Sequence, residues 1–245
     1  GLAMYFLNPL VILVGAVWGM FDAIPTLFTF MSMIQIHRKK YDSSALLTGI
    51  GAIFKIYPAI TILPILLFAV VRQRLGLRGA LRYLLVFAAT FLIPSLPFIL
   101  FDWKSFAAAL LLHTTPAGWL SYWFLLSHFS YLASEYSFYF FITIFLLLFY
   151  ASSRVIRSWT ISDLAFLNRT LLVTFLILFL TSPKINPQYI IWCIPSLIID
   201  FSISRDLCGR KLYDAMWIVG SALVLVFLPF NQFFIVGLKV GYPTM

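Results

Sequence analysis

The chain has 245 residues, of which 62% are hydrophobic and only 10% are charged, and its mean hydropathy is +1.01. This composition excludes a soluble domain and predicts an all-α, polytopic membrane protein, because the long apolar runs lack the alternation of barrel strands. The net charge of +9 does not indicate a nucleic-acid partner, since the cations lie in short loops where they meet membrane lipids.

The charged residues fall into two groups along the chain. Four basic clusters separate the apolar runs, and these are Arg38–Lys40, Arg72–Arg82, Arg154–Arg157 and Arg205–Lys211. The connections between the clusters carry a second set, which is Asp22, Lys55, Asp102, Lys104, Glu135 and Lys184. Short basic loops stay cytoplasmic, so the second set should lie on the outer face, where we expect the chemistry.

The apolar runs predict about nine membrane segments in a single domain spanning 1–245, with the N-terminus inside and the C-terminus outside. In chain order they are Leu2–Val17, Ile24–Ile36, a broken pair within Ala45–Val71, Tyr83–Leu100, Phe138–Tyr150, Leu164–Leu180, Tyr189–Ile203 and Ala215–Val236. Pro94 and Pro97 are expected to kink the far end of their segment. The loop at 101–137 is rich in Trp and Tyr and predicts helices lying in the outer interface. Because Gly1 directly precedes an apolar run, we expect the sequence to be incomplete at its N-terminus.

The run Ala45–Val71 has basic flanks on both sides, so a single crossing would put one of them on the wrong face. We predict instead two short helices, Ala45–Phe54 and Pro58–Val71, which meet at Lys55-Ile56-Tyr57-Pro58. Pro58 can begin the second helix and should push Tyr57 out of the helical region. An ammonium in an apolar run costs about 2.5–3.5 kcal/mol. Lys55 therefore either binds a substrate phosphate or snorkels at an outer helix end.

The first outer turn contains Asp22, just after Trp18-Gly19. Asp22 either caps the helix that begins near Ile24 or takes part in a site. Trp18 either stacks on a sugar face or lies in the interfacial belt of aromatic residues. The sequence leaves both alternatives open.

A second polar turn is Lys184-Ile185-Asn186-Pro187-Gln188-Tyr189, between two apolar segments. Asn186 is a natural cap and Pro187 a natural first helical residue. Capping does not explain Lys184 and Gln188, nor Trp192 one turn further on. A helix N-terminus beside a lysine is suited to bind an anion.

Neither metal chemistry nor cysteine chemistry is predicted. Asp102, His113, His128 and Glu135 are too widely spaced for a metal site. Cys193 and Cys208 lie too far apart for a disulfide and are expected to be inert apolar residues.

Three stretches of the chain together resemble one family. Asn8-Pro9 with Trp18-Gly19-Met20-Phe21-Asp22 is similar to the "NP … WGQFD" region of the GT-C glycosyltransferases. Lys55-Ile56-Tyr57-Pro58, followed by Pro64, resembles their "K-x-YP" element, and Lys184–Trp192 resembles their "N-P-Q-Y-x-x-W" turn. Within this group the prokaryotic relatives of the GPI mannosyltransferases look most similar. Met20 departs from the usual glutamine of the family.

The resemblance implies a GT-C-like fold and an enzyme that moves a hexose, mannose above all, from a polyprenyl-phosphate donor. The acceptor would be a glycan, lipid or protein on the extracytoplasmic face of the plasma membrane, or of the endoplasmic reticulum in a eukaryote. No cofactor is predicted, because the lipid-linked sugar is a substrate, although a divalent metal is left open. The residues implied in donor phosphate and substrate binding are Lys55, Tyr57, Lys184, Asn186, Gln188, Tyr189, Trp18 and Trp192. Asp22 would position the sugar or the acceptor, since the main catalytic aspartate of the family lies upstream of the region seen here.

Two other functions stay open. The broken segment also suits a transporter or flippase of a lipid-linked sugar, because discontinuous helices form transporter sites. A non-catalytic membrane subunit that completes an enzyme is the third alternative. The gathering of polar residues on one face, with no charged path inward, favours the enzyme.

Overall fold

The computed structural model describes residues 2–12, 15, 21–111, 136–183, 187–204, 211, 214–215 and 218. These residues form helices and no strand, which confirms the all-α prediction. We number the helices α1 Leu2–Phe6, α2 Pro9–Ile12, α3 Ala23–His37, α4 Tyr41–Phe54, α5 Tyr57–Ile60, α6 Ile62–Val71, α7 Leu77–Leu111, α8 Ser137–Ile156, α9 Asp163–Thr181 and α10 Ile194–Ser204. A 3-10 helix, Pro187–Cys193, precedes α10, so Pro187 begins a helix as predicted, but a tighter one.

The chain divides into two compact units, one formed by Gly1–Met20 with Leu197–Met245 and the other by Phe21–Ser196. In the first unit, Asn8 Oδ1 accepts a hydrogen bond from the backbone N–H of Leu10 at 3.0 Å. Asn8 therefore caps α2, in which Pro9 is the first residue. The second unit contains all the interactions described below.

Among the described residues, three helices are long and apolar enough to cross a membrane, and these are Leu77–Ala109 within α7, α8 and α9. They fit a membrane protein, as predicted. The apolar helices Ala23–His37, Tyr57–Val71 and Ile191–Ile203 are shorter. The predicted segment Ala215–Val236 lies almost wholly outside the described residues, and the count of nine stays a prediction.

The predicted break in the Ala45–Val71 run is confirmed. Helix α4 ends at Phe54, and Lys55 is extended with φ −152° and ψ 144°. The expectation that Tyr57 lies outside the helical region is wrong, because α5 begins at Tyr57. Pro58 lacks an N–H and has a helical φ, so it fits the first turn, and the chain breaks at Lys55 instead.

A second break lies within α7 at Asp102, whose φ is −153° and ψ is 81°. Its Oδ1 accepts from the Ser105 backbone N–H at 3.1 Å and its Oδ2 from the Ser105 hydroxyl at 2.5 Å. Asp102 thus caps a new helix, residues 103–111, in the predicted interfacial stretch. Pro94 and Pro97 lie within the preceding helix. His113, His128 and Glu135 lie outside the described residues.

Hydroxyl groups join α3, α4 and α7 in the interior. Ser32 Oγ lies 2.8 Å from Ser44 Oγ and 2.7 Å from Thr48 Oγ1, and Tyr83 OH lies 3.1 Å from Thr48 Oγ1. All four side chains are buried. In lipid, hydrogen bonds between helices replace much of the hydrophobic driving force, so this cluster helps to fix the three-helix arrangement.

Hydrogen bonds between loops bring several basic clusters to one end of the Phe21–Ser196 unit. Arg72 Nη2 donates to the carbonyls of Trp159 and Ile161 at 2.6 and 3.1 Å. Gln73 Nε2 donates to the Ile36 carbonyl at 2.8 Å. The end of α3, the end of α6 and the α8–α9 connection therefore meet at what we call the basic end. Helices α3 and α4 run between it and the opposite end, where Asp22 and Lys55 lie.

We expect Gly49→Ala to destabilise the protein by about 1–3 kcal/mol, because overpacking forces neighbouring atoms apart. A Cβ at Gly49 would lie 2.7 Å from Thr90 Cβ on α7. Thermal unfolding in detergent measures the effect. Gly76→Ala is the matched control, since a Cβ there meets no heavy atom within 4 Å. Equal stability of the two variants would contradict the close approach of α4 and α7.

Helix α8 should cross the membrane completely. In a background without Cys193 and Cys208, we expect Tyr136→Cys and Ser158→Cys, which flank α8, to react with a membrane-impermeant maleimide from opposite sides of sealed vesicles. Detergent permeabilisation should make both positions reactive. Labelling of both from one side of intact vesicles would show that α8 does not span.

Candidate functional site

A buried ion pair joins the start of α3 to the break between α4 and α5. Lys55 Nζ lies 2.7 Å from both Oδ1 and Oδ2 of Asp22. The Asp22 side chain has no exposed surface, whereas that of Lys55 is 21% exposed. Taking an isolated charge out of water costs several kcal/mol. Removal of either charge would therefore leave the other charge without its counter-ion in a site that is largely shielded from water.

Asp22 is available for this pair because it does not cap α3. It occupies the N-cap position, but its backbone is helical, with φ −57° and ψ −24°, and its side chain accepts no capping hydrogen bond. The capping alternative for Asp22 is therefore wrong. Its backbone carbonyl instead accepts from the Thr26 hydroxyl at 2.6 Å, one turn along α3.

Trp192 is the third member of the cluster. Its indole Nε1–H donates to Asp22 Oδ1 at 3.0 Å, although the two residues are 170 positions apart. Trp192 belongs to the 3-10 helix, and its side chain is buried in the protein. Asp22 thus accepts one hydrogen bond from an indole and two from an ammonium, a set of charge-assisted bonds that holds three separate stretches together.

Tyr57 and Tyr189 pack on Trp192. The Tyr57 ring stacks at a centroid distance of 3.7 Å and an interplanar angle of 12°, and the Tyr189 ring at 4.3 Å and 23°. The Tyr57 hydroxyl lies 2.7 Å from Thr26 Oγ1. Tyr57 is buried, while Tyr189 is partly exposed. Two tyrosines and one hydroxyl therefore fix the tryptophan that binds Asp22.

Lys55 is the member of the ion pair that reaches the surface. An ammonium has three hydrogens, and its two bonds to Asp22 use two of them. The Phe21 ring lies 5.7 Å from Nζ, close enough for a cation–π contact. The lysine is therefore held in one position by a carboxylate and an aromatic ring, with one hydrogen left for a ligand.

The structure brings together five of the residues predicted for the site: Asp22, Lys55, Tyr57, Tyr189 and Trp192. Trp18, Lys184 and Asn186 lie outside the described residues, as does the side chain of Gln188. Sequence reasoning missed Thr26, which bonds both the Asp22 carbonyl and Tyr57. Its position one turn after Asp22, in a predicted helix, is the signal that could have identified it.

Metal ligands do not converge in the part of the chain that the structure describes, where no three His, Cys, Asp or Glu side chains form a group able to hold a metal ion. The chemistry of the described cluster is that of a fixed ammonium framed by aromatic rings. Such a group can donate its remaining N–H to an anionic ligand.

Comparison of the chain with protein-family models, with curated proteins and with solved structures finds no match. The resemblance to the GT-C glycosyltransferases therefore remains a prediction from the three motifs. A function has to be argued from the geometry of the cluster itself.

Substitutions at Asp22 and Lys55 should be strongly coupled in their effects on the free energy of unfolding. Lys55→Met leaves the Asp22 carboxylate buried with only the indole as donor, and we expect a loss of about 3–5 kcal/mol. The double variant Asp22→Asn/Lys55→Met removes both charges and should recover most of that loss. Chemical unfolding of the purified protein in detergent measures both.

A second ion pair supplies the control for this cycle. Arg82 Nη2 lies 2.6 Å from Asp42 Oδ2, but these side chains are 70% and 48% exposed. Arg82→Gln should change stability by no more than about 1 kcal/mol, because water screens an exposed pair. If Lys55→Met lowered the free energy of unfolding as little as Arg82→Gln, the Asp22 carboxylate would not be buried as described.

Proposed function

We propose that this chain belongs to a membrane glycosyltransferase that moves a hexose such as mannose from a polyprenyl-phosphate donor to a lipid- or protein-linked acceptor on the extracytoplasmic face. The observation that carries the proposal is the convergence of Asp22, Lys55 and Trp192. Each belongs to one of the three motifs that resemble the GT-C family. Motifs far apart in sequence that resemble an enzyme family only by chance would have no reason to supply one residue each to a single cluster.

Lys55 is the proposed ligand of the donor phosphate. In the transfer, the acceptor oxygen forms a bond to the anomeric carbon, and the bond from that carbon to the phosphate oxygen breaks with its electron pair on the phosphate. A fixed ammonium stabilises this developing charge more in a dry site than in water. Asp22 and Phe21 hold Lys55 in place before the reaction, so little reorganisation is needed.

Asp22 acts through Lys55 in this proposal. Its carboxylate is fully buried and already accepts three hydrogen bonds, which favours a positioning residue over a proton acceptor. The acceptor hydroxyl still has to lose its proton to a base, ordinarily a carboxylate. That base is then a residue other than Asp22, in line with the upstream aspartate that the resemblance implies.

The aromatic residues divide by burial. Tyr57 and Trp192 are buried and form the frame that holds Asp22. Tyr189 is partly exposed beside Trp192, and Phe21 is 51% exposed beside Lys55, so these two aromatic residues are placed to contact the sugar or the lipid phosphate. In this proposal Lys55, Tyr189 and Phe21 contact the substrate, and the buried residues of the cluster support them.

Transfer should depend on the charge of Lys55 even when the fold is preserved. We expect Asp22→Asn/Lys55→Met, the variant without buried charges, to insert normally but to lose about 10²–10³-fold in transfer rate, as when a transition-state donor is removed. Incorporation of radiolabelled mannose from polyprenyl-phosphate mannose, in proteoliposomes with the full-length protein, measures the rate. Arg157→Gln, at an exposed position outside the cluster, should keep wild-type transfer.

The same proteoliposomes separate the alternative functions. Unchanged incorporation in the double variant would remove Lys55 from the mechanism. Translocation of the lipid-linked sugar without incorporation would instead identify a flippase, which the break at Lys55 also suits.

A further inference from the structure

A cavity of about 400 Å³ lies in the basic end, between the α3–α4 turn and the first turns of α7. Its lining includes three cationic side chains, Lys39, Lys40 and Arg82, and one carboxylate, Asp42. This cavity is separate from the Asp22–Lys55 cluster, because α4 begins beside the one and ends beside the other. Its excess of positive charge makes it suited to an anion.

The α3–α4 turn fixes the two lysines at this cavity. The Lys40 N–H donates to the Gln35 carbonyl and the Lys39 N–H to the Ile36 carbonyl, both at 2.9 Å, the pattern of a Schellman helix end. Lys39 has φ +58°, in the left-handed region that glycine adopts without strain. Lys39 therefore places a cationic residue at the cavity. Its backbone conformation costs more free energy for lysine than it would for glycine.

Arg82 faces the same cavity from α7. Asp42 accepts from its Nη2 at 2.6 Å, which holds the guanidinium toward the start of α4. A guanidinium has five N–H donors, so most of them remain for another acceptor, and a phosphate accepts two at once. Arg82 and the two lysines thus line one cavity and supply donors to an anion bound there.

The surface beside the cavity is apolar and belongs to a candidate membrane span. Leu85, one turn after Arg82 on α7, is 70% exposed, and Leu81 is half exposed. Almost none of the most apolar 18-residue stretch of the span Leu77–Ala109 is buried against the described part of the protein. A soluble anion would not contact this apolar surface, whereas the acyl chains of a lipid would remove it from water.

We propose that the cavity binds the phosphate headgroup of an anionic glycerophospholipid from the leaflet at the basic end, with its acyl chains along α7. The phosphate contacts Lys39, Lys40 and Arg82, and the chains pass Leu81 and Leu85. By the rule that short basic loops stay cytoplasmic, this is the cytoplasmic leaflet. The proposal does not depend on the chemistry at Lys55.

Native mass spectrometry of the delipidated full-length protein tests the occupant without any substitution. Titration with phosphatidylglycerol should give a first bound lipid at concentrations where phosphatidylcholine does not bind, and millimolar inorganic phosphate should not displace it. Equal binding of phosphatidylcholine would overturn the proposal, because recognition would not depend on headgroup charge. Displacement by phosphate alone would overturn the lipid as occupant and identify a site for a free anion.

Charge-matched variants test the location. Lys39→Gly/Lys40→Gln removes two cations, and glycine keeps the left-handed turn. At about a five- to sixfold loss of affinity for each basic residue near a membrane surface, the first phosphatidylglycerol should bind about thirtyfold more weakly. Arg154→Gln/Arg157→Gln removes the same charge from exposed positions at the end of α8 and should change this affinity little. Equal losses in the two variants would mean that only net charge matters and no built site exists.

Discussion

A carboxylate and an ammonium enclosed in apolar surroundings stabilise the fold only while they remain together, and Asp22 and Lys55 are such a pair. Their contact fixes the start of α3 against the break after α4. The indole of Trp192 adds the 3-10 helix to the same carboxylate, and Tyr57 packs on that indole from the start of α5. The cluster in this way ties three distant stretches of the chain to one acidic side chain.

The helices that lead to this cluster are short, and their packing relies on close approach and buried hydroxyls. Gly49 lets α4 lie against α7, and Ser32, Ser44, Thr48 and Tyr83 bond to one another across three helices. These interactions suit a protein whose surroundings are lipid, where apolar contact alone does not drive helices together. They also make the α3–α4 hairpin a firm support. A lysine at the end of such a hairpin is held in one orientation, as charge stabilisation in a transfer reaction requires.

The two ends of the Phe21–Ser196 unit differ in the same way as the two faces of a membrane. In the part of the chain that the structure describes, one end contains the buried Asp22–Lys55 pair among aromatic rings, and the cavity at the other end is lined by more cations than carboxylates. A lipid-linked sugar phosphate at the first end and an anionic phospholipid at the second would both place a phosphate at headgroup depth with its chains in the bilayer. On this interpretation the protein binds phosphates of lipids in both leaflets. Lys55 is held by its buried partner Asp22, whereas Arg82 at the other end is 70% exposed.

From local hydropathy, proline chemistry and charge, the sequence correctly predicted the helical class, the break in the Ala45–Val71 run and the grouping of several basic loops. It placed α3 and α9 to within one residue at each end. It did not decide whether Asp22 caps a helix or belongs to a functional site. It also predicted that the backbone leaves the helical conformation at Tyr57, whereas this happens at Lys55. Both points depend on a tertiary contact, because the buried Asp22 carboxylate pairs with a partly buried ammonium that is 33 residues away in sequence. Nothing local to Asp22 indicates which lysine, or which indole, will reach it.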